Sequence, residues 1–301
     1  MIPDGQRFHP TEIFLLIFVK SHHRMKKPTL KGLLPIGIAL FIAACNNGTD
    51  SKGKVGKDGA GNGESGSGAT PTKIIGSSII RTFLHDTSSF TQGLVFYNGA
   101  LYEGTGEYGH SHLLKVDLPT GKIERQVSLD TTFFGEGITI LHDTVYQLTW
   151  RENKVFSYSL KDFKKIKEFT IKTEGWGLTT DGKNLIVSDG SSDLYYYNPS
   201  FEFLRKSQVT EAGSLAFNLN ELEFIDGYIY ANQWQAPYIL KIDPATGMVV
   251  GKIDLTHAWD RIRNIDPQAD VPNGIAYDTA SKKIYVTGKK WPELYELQLG
   301  K

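Results

Sequence analysis

Residues 91–129 read "TQGLVFYNGALYEGTGEYGHSHLLKVDLPTGKIERQVSL", and this stretch decides the fold. It holds four strand-length runs, "TQGLVFY", "ALYEGTG", "HLLKVDL" and "KIERQVSL", in which Tyr, Val, Ile and Leu alternate with polar residues. Turn formers such as Asn98-Gly99 and Thr120-Gly121 separate them. That is the pattern of antiparallel strands joined by short hairpins, without a sustained helical period.

The unit recurs. Its second strand returns as "TVYQLTW", "NLIVSDG", "YIYANQW" and "KIYVTGK", and aligning Tyr102, Tyr146, Ile186, Tyr230 and Tyr285 gives spacings of 44, 40, 44 and 55 residues. The first strand returns as "GEGITIL", "GWGLTTD", "LNELEFI" and "PNGIAYD", the third as "KVFSYSL", "DLYYYNP", "YILKIDP" and "ELYELQL". Three or four antiparallel strands every 40–45 residues are the blades of a propeller around a central channel. Five units therefore predict an all-β, five-bladed β-propeller over residues 73–301. The last unit stops after its third strand, so the unclaimed run "KIIGSSIIRTFLHD" is expected to supply the fourth strand and close the ring, removing an exposed edge. The longer last spacing holds "HAWDRIRNIDPQAD", read as an inserted loop or single helical turn.

Residues 1–72 read differently. Met25-Lys26-Lys27, a 12-residue apolar run from Leu33 to Ala44, and Ile42-Ala43-Ala44 before Cys45 resemble a bacterial lipoprotein signal, in which the cysteine carries the lipid. The run is short for a bilayer-spanning helix. Residues 1–45 are therefore read as an upstream extension plus signal, and export to the cell envelope on a lipid anchor at Cys45 is expected. Cys45 is the sole cysteine, which excludes an intrachain disulfide and a cysteine metal cluster. Residues 46–72, rich in Gly, Ser, Lys, Asp and Asn, cannot bury enough apolar surface to fold and read as a tether of roughly 30 Å reach. Residues 1–45 hold six of the 33 Lys/Arg and two of the 33 Asp/Glu, so the remainder has 27 basic and 31 acidic side chains, a net −4. No basic face for nucleic acid is expected.

Register turns sequence position into place. Just before the glycine or glutamate of each first strand stand Gln92, Glu136, Trp176, Asn220 and Asn273. Four residues after the aligned tyrosine position stand Gly106, Trp150, Gly190, Trp234 and Lys289. Antiparallel pairing brings both sets to one mouth of the channel, and the predicted pocket holds one carboxylate, one ammonium, three indoles and three carboxamides. Glutamate and glycine are both disfavoured in strands, so "FGEGIT" at residues 134–139 marks a close backbone approach, a required carboxylate, or both. Singly, Trp150 and Trp234 fit core aromatics, Asn220 a turn former and Lys289 a solvated charge. Their shared register points to a site.

Other signals carry less. "GTGEYG" at residues 104–109 has the letters of a dinucleotide loop but is followed by a strand-like run where a helix is needed. His110 and His112 lack further metal ligands, and His85, His142 and His257 read as turn residues.

The motifs "FTQGL", "FGEGIT", "GWGLT", "LNELE", "PNGIAYD" and "TGKKWPELYEL", spread from about Ser78 to Leu299, resemble the glutaminyl-peptide cyclotransferases of the plant-latex and bacterial type, which are five-bladed propellers. The resemblance implies conversion of the N-terminal glutamine of peptides or proteins to pyroglutamate with release of ammonia, without a cofactor or catalytic metal. It implies that Glu136 is the acid/base, that Gln92, Trp176, Asn220 and Lys289 surround the substrate, and that Trp150 and Trp234 are aromatic walls. Lys289, Gln92 and Asn220 are equally eligible as donors to the amide oxygen. The competing reading is a non-catalytic, lipid-tethered propeller that binds peptides or sugars at the same mouth. A monomer is expected, because a closed ring leaves no edge to pair.

Overall fold

In the computed structural model, which describes residues 71–300, burial sorts the strands of each repeat. The first strands, Thr91–Tyr97, Gly135–Leu141, Leu219–Ile225 and Pro272–Asp278, are almost wholly buried. The fourth strands, Lys122–Ser128, Lys165–Thr170 and Phe203–Gln208, are almost wholly exposed. This is what a radial stack requires: an inner strand meets neighbours on both faces and reads as a continuous apolar run, whereas an outer strand keeps its charges in water.

Five antiparallel sheets of this kind form the blades. The inner strands contact one another in the order one, two, three, four, five and back to one, which is a closed ring. Apolar side chains fill the wedges between blades. Val95 and Tyr102 of blade one pack with Ile138, Val145 and Phe156 of blade two, and Leu148 of blade two packs with Leu178 and Leu185 of blade three. Ile138 and Leu148 are fully buried, and each such side chain contributes roughly 1.5–3 kcal/mol relative to exposure.

The ring closes as the sequence implies, with Ser77–Leu84 antiparallel to Glu293–Leu299. The N-terminal run is nevertheless not one strand. It breaks at Gly76, and Ile74–Ile75 adds in parallel to the outer strand Val249–Asp254 of blade four. One segment thus ties the first described residues to two blades, and both pieces run toward the end of the ring where the inner strands begin.

The insertion before blade five is longer than a single turn. It is an α-helix, Thr256–Ile265, of about three turns that buries Ala258 and Ile262 against blades four and five. A small hairpin, Thr210–Glu211 with Ser214–Leu215, is a further addition to the repeat. His85 is no idle turn residue: its ring nitrogens lie 2.6 Å from Trp291 O and 3.1 Å from Glu103 Oε1. Burial works against the imidazolium, but Glu103, the Trp291 carbonyl and Asp86 together outweigh it and raise the His85 pKa. "GTGEYG" is followed by the strand His112–Asp117, as a repeat blade requires. The expectations for the signal, Cys45 and the tether fall on residues 1–70, outside the described residues.

Candidate active site

Four of the five inner strands break register once, near their start; the short blade-three strand Leu178–Thr180 does not. The irregularity falls between Thr91 and Gly93, Gly135 and Ile138, Leu219 and Leu222, and Pro272 and Ile275. The residues inside these breaks are Gln92, Glu136, Asn220 and Asn273, the set picked out by the repeats. A bulge re-aims a side chain out of the strand's alternation, and here Gln92, Glu136 and Asn220 of blades one, two and four come to line one opening. The second set is brought alongside by the pairings Thr91 with Thr105, Gly135 with Thr149, Leu219 with Gln233 and Pro272 with Gly288.

The result is a cleft of about 520 Å³ lined by Phe90, Gln92, Phe134, Glu136, Trp150, Arg151, Glu174, Trp176, Asn220, Trp234, Asp270 and Lys289. All seven residues proposed for catalysis or binding on the sequence are gathered there. Asn273 is not on the cleft wall. It is fully buried behind Gln92, and its Nδ2 donates to Gln92 Oε1 (3.2 Å) and Thr91 O (3.0 Å). With its oxygen so engaged, Gln92 turns Nε2 outward, where it donates to Glu136 Oε1 at 3.0 Å.

Glu136 is 4% exposed, and its Oε2 has no hydrogen-bond partner among the described residues. Burial pushes its carboxyl pKa well up; Lys289 opposes this, and Glu174 and Glu152 reinforce it. Lys289 is itself buried, with Nζ 4.7 Å from the Phe90 ring centroid. Burial lowers its pKa against the pull of Glu136 and Asp270. The cleft thus holds a buried acid and a buried base, each shifted toward its neutral form chiefly by burial.

The glycines around Glu136 serve the backbone. A Cβ on Gly135 would lie 2.6 Å from Thr105 O, and one on Gly137 would lie 2.6 Å from Leu178 N and Trp176 O. Gly137 N also donates to Trp176 O at 2.8 Å. Neighbouring blades therefore touch on both sides of Glu136, which fixes its position. Gly106 leaves room for the Phe134 ring, and Gly190, at φ +81°, for the Trp176 ring.

Five lining residues escaped the sequence reading. Phe90, Phe134 and Glu174 each sit two positions before the chosen residue of their blade, and the register itself could have found them. The backbone marks that register position in most blades. Gly106, Trp150, Trp234 and Lys289 donate their N–H to the carbonyls of Phe90, Phe134, Asn218 and Val271, one bond repeated in four blades. Blade three departs, because Gly190 N donates to Leu219 O of the next blade instead. Asp270 lies in the insertion, where no repeat exists to compare. Arg151 follows Trp150 and covers its ring at 3.8 Å. The pocket so holds three carboxylates, not one. Among the described residues no group of three or more His, Cys, Asp or Glu side chains is arranged to hold a metal ion.

Comparison with known proteins agrees with this geometry. The glutamine cyclotransferase family model matches residues 57–299. A glutaminyl-peptide cyclotransferase of Arabidopsis thaliana is 41% identical over 225 residues, which cover 73% of this chain and 70% of that protein. The crystal structure of Myxococcus xanthus glutaminyl cyclase superposes with a TM-score of 0.71 at 37% identity, covering 76% of this chain and 98% of that one. Repeat register, closed five-bladed ring and matched sequence together place this chain in the glutamine cyclotransferase family.

Proposed function

We propose that this protein is an acyltransferase that cyclises the N-terminal glutamine of peptides to pyroglutamate, with Glu136 as the single proton carrier. The observation that carries the mechanism is the state of Glu136: one carboxylate oxygen is held by Gln92, and the other is unpartnered in a buried cup walled by Trp150, Trp176 and Trp234.

The substrate's α-amine has an ordinary pKa of about 7.7–8.0, so it arrives largely as ammonium at pH 7. Burial raises the Glu136 carboxyl well above the ordinary carboxylate range, toward that of the amine, which eases transfer in both directions. Glu136 takes the proton and frees the amine to attack the substrate's side-chain amide carbon. The new C–N bond closes the five-membered ring, and charge collects on the amide oxygen. Lys289, Asn220 and the second N–H of Gln92, whose first is held by Glu136, are the donors available to that oxygen. Glu136 then returns the proton to the departing nitrogen, the old C–N bond breaks with loss of ammonia, and the carboxylate takes the surplus proton of the new ring nitrogen, which departs with the ammonia as ammonium. Because nucleophile and electrophile belong to one residue, holding them in a folded pose supplies much of the acceleration. The indoles provide that pose and exclude water.

Incubating the protein with a Gln-initiated peptide and following its mass tests this reading. A loss of about 17 Da per molecule, matched by released ammonia, is expected from the acid/base step. An unchanged peptide would overturn it. For the upstream residues the proposal is a lipid on Cys45, supported by the basic start, apolar run and small residues before it. Cys45→Ser should release the protein from the membrane fraction, and persistence there would refute the anchor.

A further inference from the structure

The aromatic rings of the cleft, with Tyr108 packed beside them, fall into two groups. Phe90, Tyr108 and Trp150 all meet Phe134 edge-on, at centroid distances of 6.1, 5.3 and 5.5 Å. Trp176 and Trp234 meet edge-on at 5.5 Å. The first group stands on blades one and two, the second on blades three and four. What joins them is a carboxylate. Glu174 Oε2 accepts from Trp150 Nε1 at 2.8 Å and from Trp176 Nε1 at 3.0 Å, while Oε1 accepts from Arg151 Nε at 3.2 Å.

We propose that Glu174 is a positioning residue that locks the two aromatic walls into one substrate-shaped arc by holding both indole N–H groups on a single oxygen. The location supports this. Blade three is the blade in which the repeated backbone bond to the register position of Glu174 is absent, so its orientation is set by these side-chain bonds. Gly175 N also donates to Trp150 O at 3.0 Å, which brings the wall of blade two against the base of Glu174. Burial would raise the Glu174 carboxyl, but Trp176, Trp150 and Arg151 together hold it below the usual range, so it accepts as a full charge. Hydrogen bonds to a charged acceptor are about twice as strong as neutral ones. Arg151 sandwiches the arrangement, with its guanidinium over Trp150 and its Nε on Glu174.

The arrangement also couples the wall to the acid/base. Glu174 is one of two carboxylates whose charge holds the Glu136 pKa up, so the residue that shapes the pocket also tunes the proton carrier.

The test compares Glu174→Ala and Glu174→Gln in the full chain, after a folding check by thermal melting. The inference rests on the cyclotransferase reading for its kinetic readout, so binding of a pyroglutamyl product peptide is measured by titration as a readout free of turnover. Expected for Glu174→Ala is a rise of about tenfold in both KM and product Kd, with kcat changed far less, since bonds to a charged acceptor carry roughly this weight. Glu174→Gln, which keeps an acceptor but loses the charge, should recover part of the loss. Removing the charge should also move the acid limb of kcat/KM to lower pH, because Glu136 then loses its proton earlier; a purely structural role would leave that limb in place. Wild-type KM, Kd and pH profile in a folded Glu174→Ala protein would overturn the inference. Failure of the wild-type enzyme to release ammonia would instead overturn the cyclotransferase reading, while Kd would still decide the role of Glu174.

Discussion

Glu136 at the mouth and Glu221 in the channel are one register position apart, and both are buried acids with pKa values raised well above the usual carboxylate range, first of all by burial. Glu221 stands where blade two has Gly137. It reaches across the axis of the ring, where Oε1 accepts from Leu94 N of blade one at 3.1 Å and Oε2 from Ile275 N of blade five at 2.9 Å. Both of its oxygens are spent on backbone. Glu136 keeps one oxygen free among the described residues and faces a cation, Lys289, whereas Glu221 faces a second acid, Glu223. Burial and a shifted pKa therefore do not identify a catalytic acid by themselves. The separating feature is a carboxylate oxygen left without a partner among the described residues, on a side chain that lines the cleft.

The strongest test of that contrast is the same substitution at both sites. Glu136→Gln should lower kcat by about 10²–10⁴ with little change in melting temperature, since it removes the proton carrier and keeps the shape. Glu221→Gln should leave kcat near wild type and be felt in stability. A slow Glu221→Gln enzyme that melts normally would erase the distinction. Lys289→Met should come next, lowering kcat by roughly 10²-fold through loss of an oxyanion donor. It should also move the acid limb of the pH profile upward, because Lys289 is the group that restrains the Glu136 pKa. A limb that stays in place would uncouple the two residues. Trp176→Ala should raise KM by about tenfold with a smaller effect on kcat, and a fall confined to kcat would mean that the indole acts in the chemistry.

The smallest effect sharpens the channel side. Glu223 Oε1 accepts from Tyr277 N at 3.0 Å, and burial pushes its carboxyl pKa from 4.5 up to about 8. The folded protein thus keeps a proton that the unfolded chain has released between about pH 4.5 and about pH 8, so this group's contribution to stability falls as pH rises through that window. Glu223→Gln should flatten the decline in melting temperature over the same range. An unaltered decline would place its origin elsewhere.

The propeller was legible because each blade repeats the same solution, and repeats convert five weak strand patterns into one strong one. Glu136 was legible for a related reason: charge and glycine both contradict a buried strand, and such contradictions collect at functional sites. What the repeats hid were departures from them. The break at Gly76 depends on a parallel pairing to a blade some 175 residues away, and nothing in "KIIGSSIIRTFLHD" marks it apart from one glycine. Glu174 escaped the sequence reading, because its meaning lies in two indoles on neighbouring blades. Asp270 and the Thr256–Ile265 helix belong to an insertion without a counterpart, so register offered no guide. Asn273 was expected in the pocket but lies buried behind Gln92, a matter of side-chain direction that alignment does not resolve.

The two-residue pairing of Ile74–Ile75 with Val249–Asp254 has a mechanical consequence. Tension arriving along the leading peptide meets this short contact before it meets the eight-residue strand that shuts the ring. The short contact would peel first and absorb the pull, acting as a sacrificial clasp that spares the circular architecture and, with it, the alignment of the five inner strands beneath the cleft.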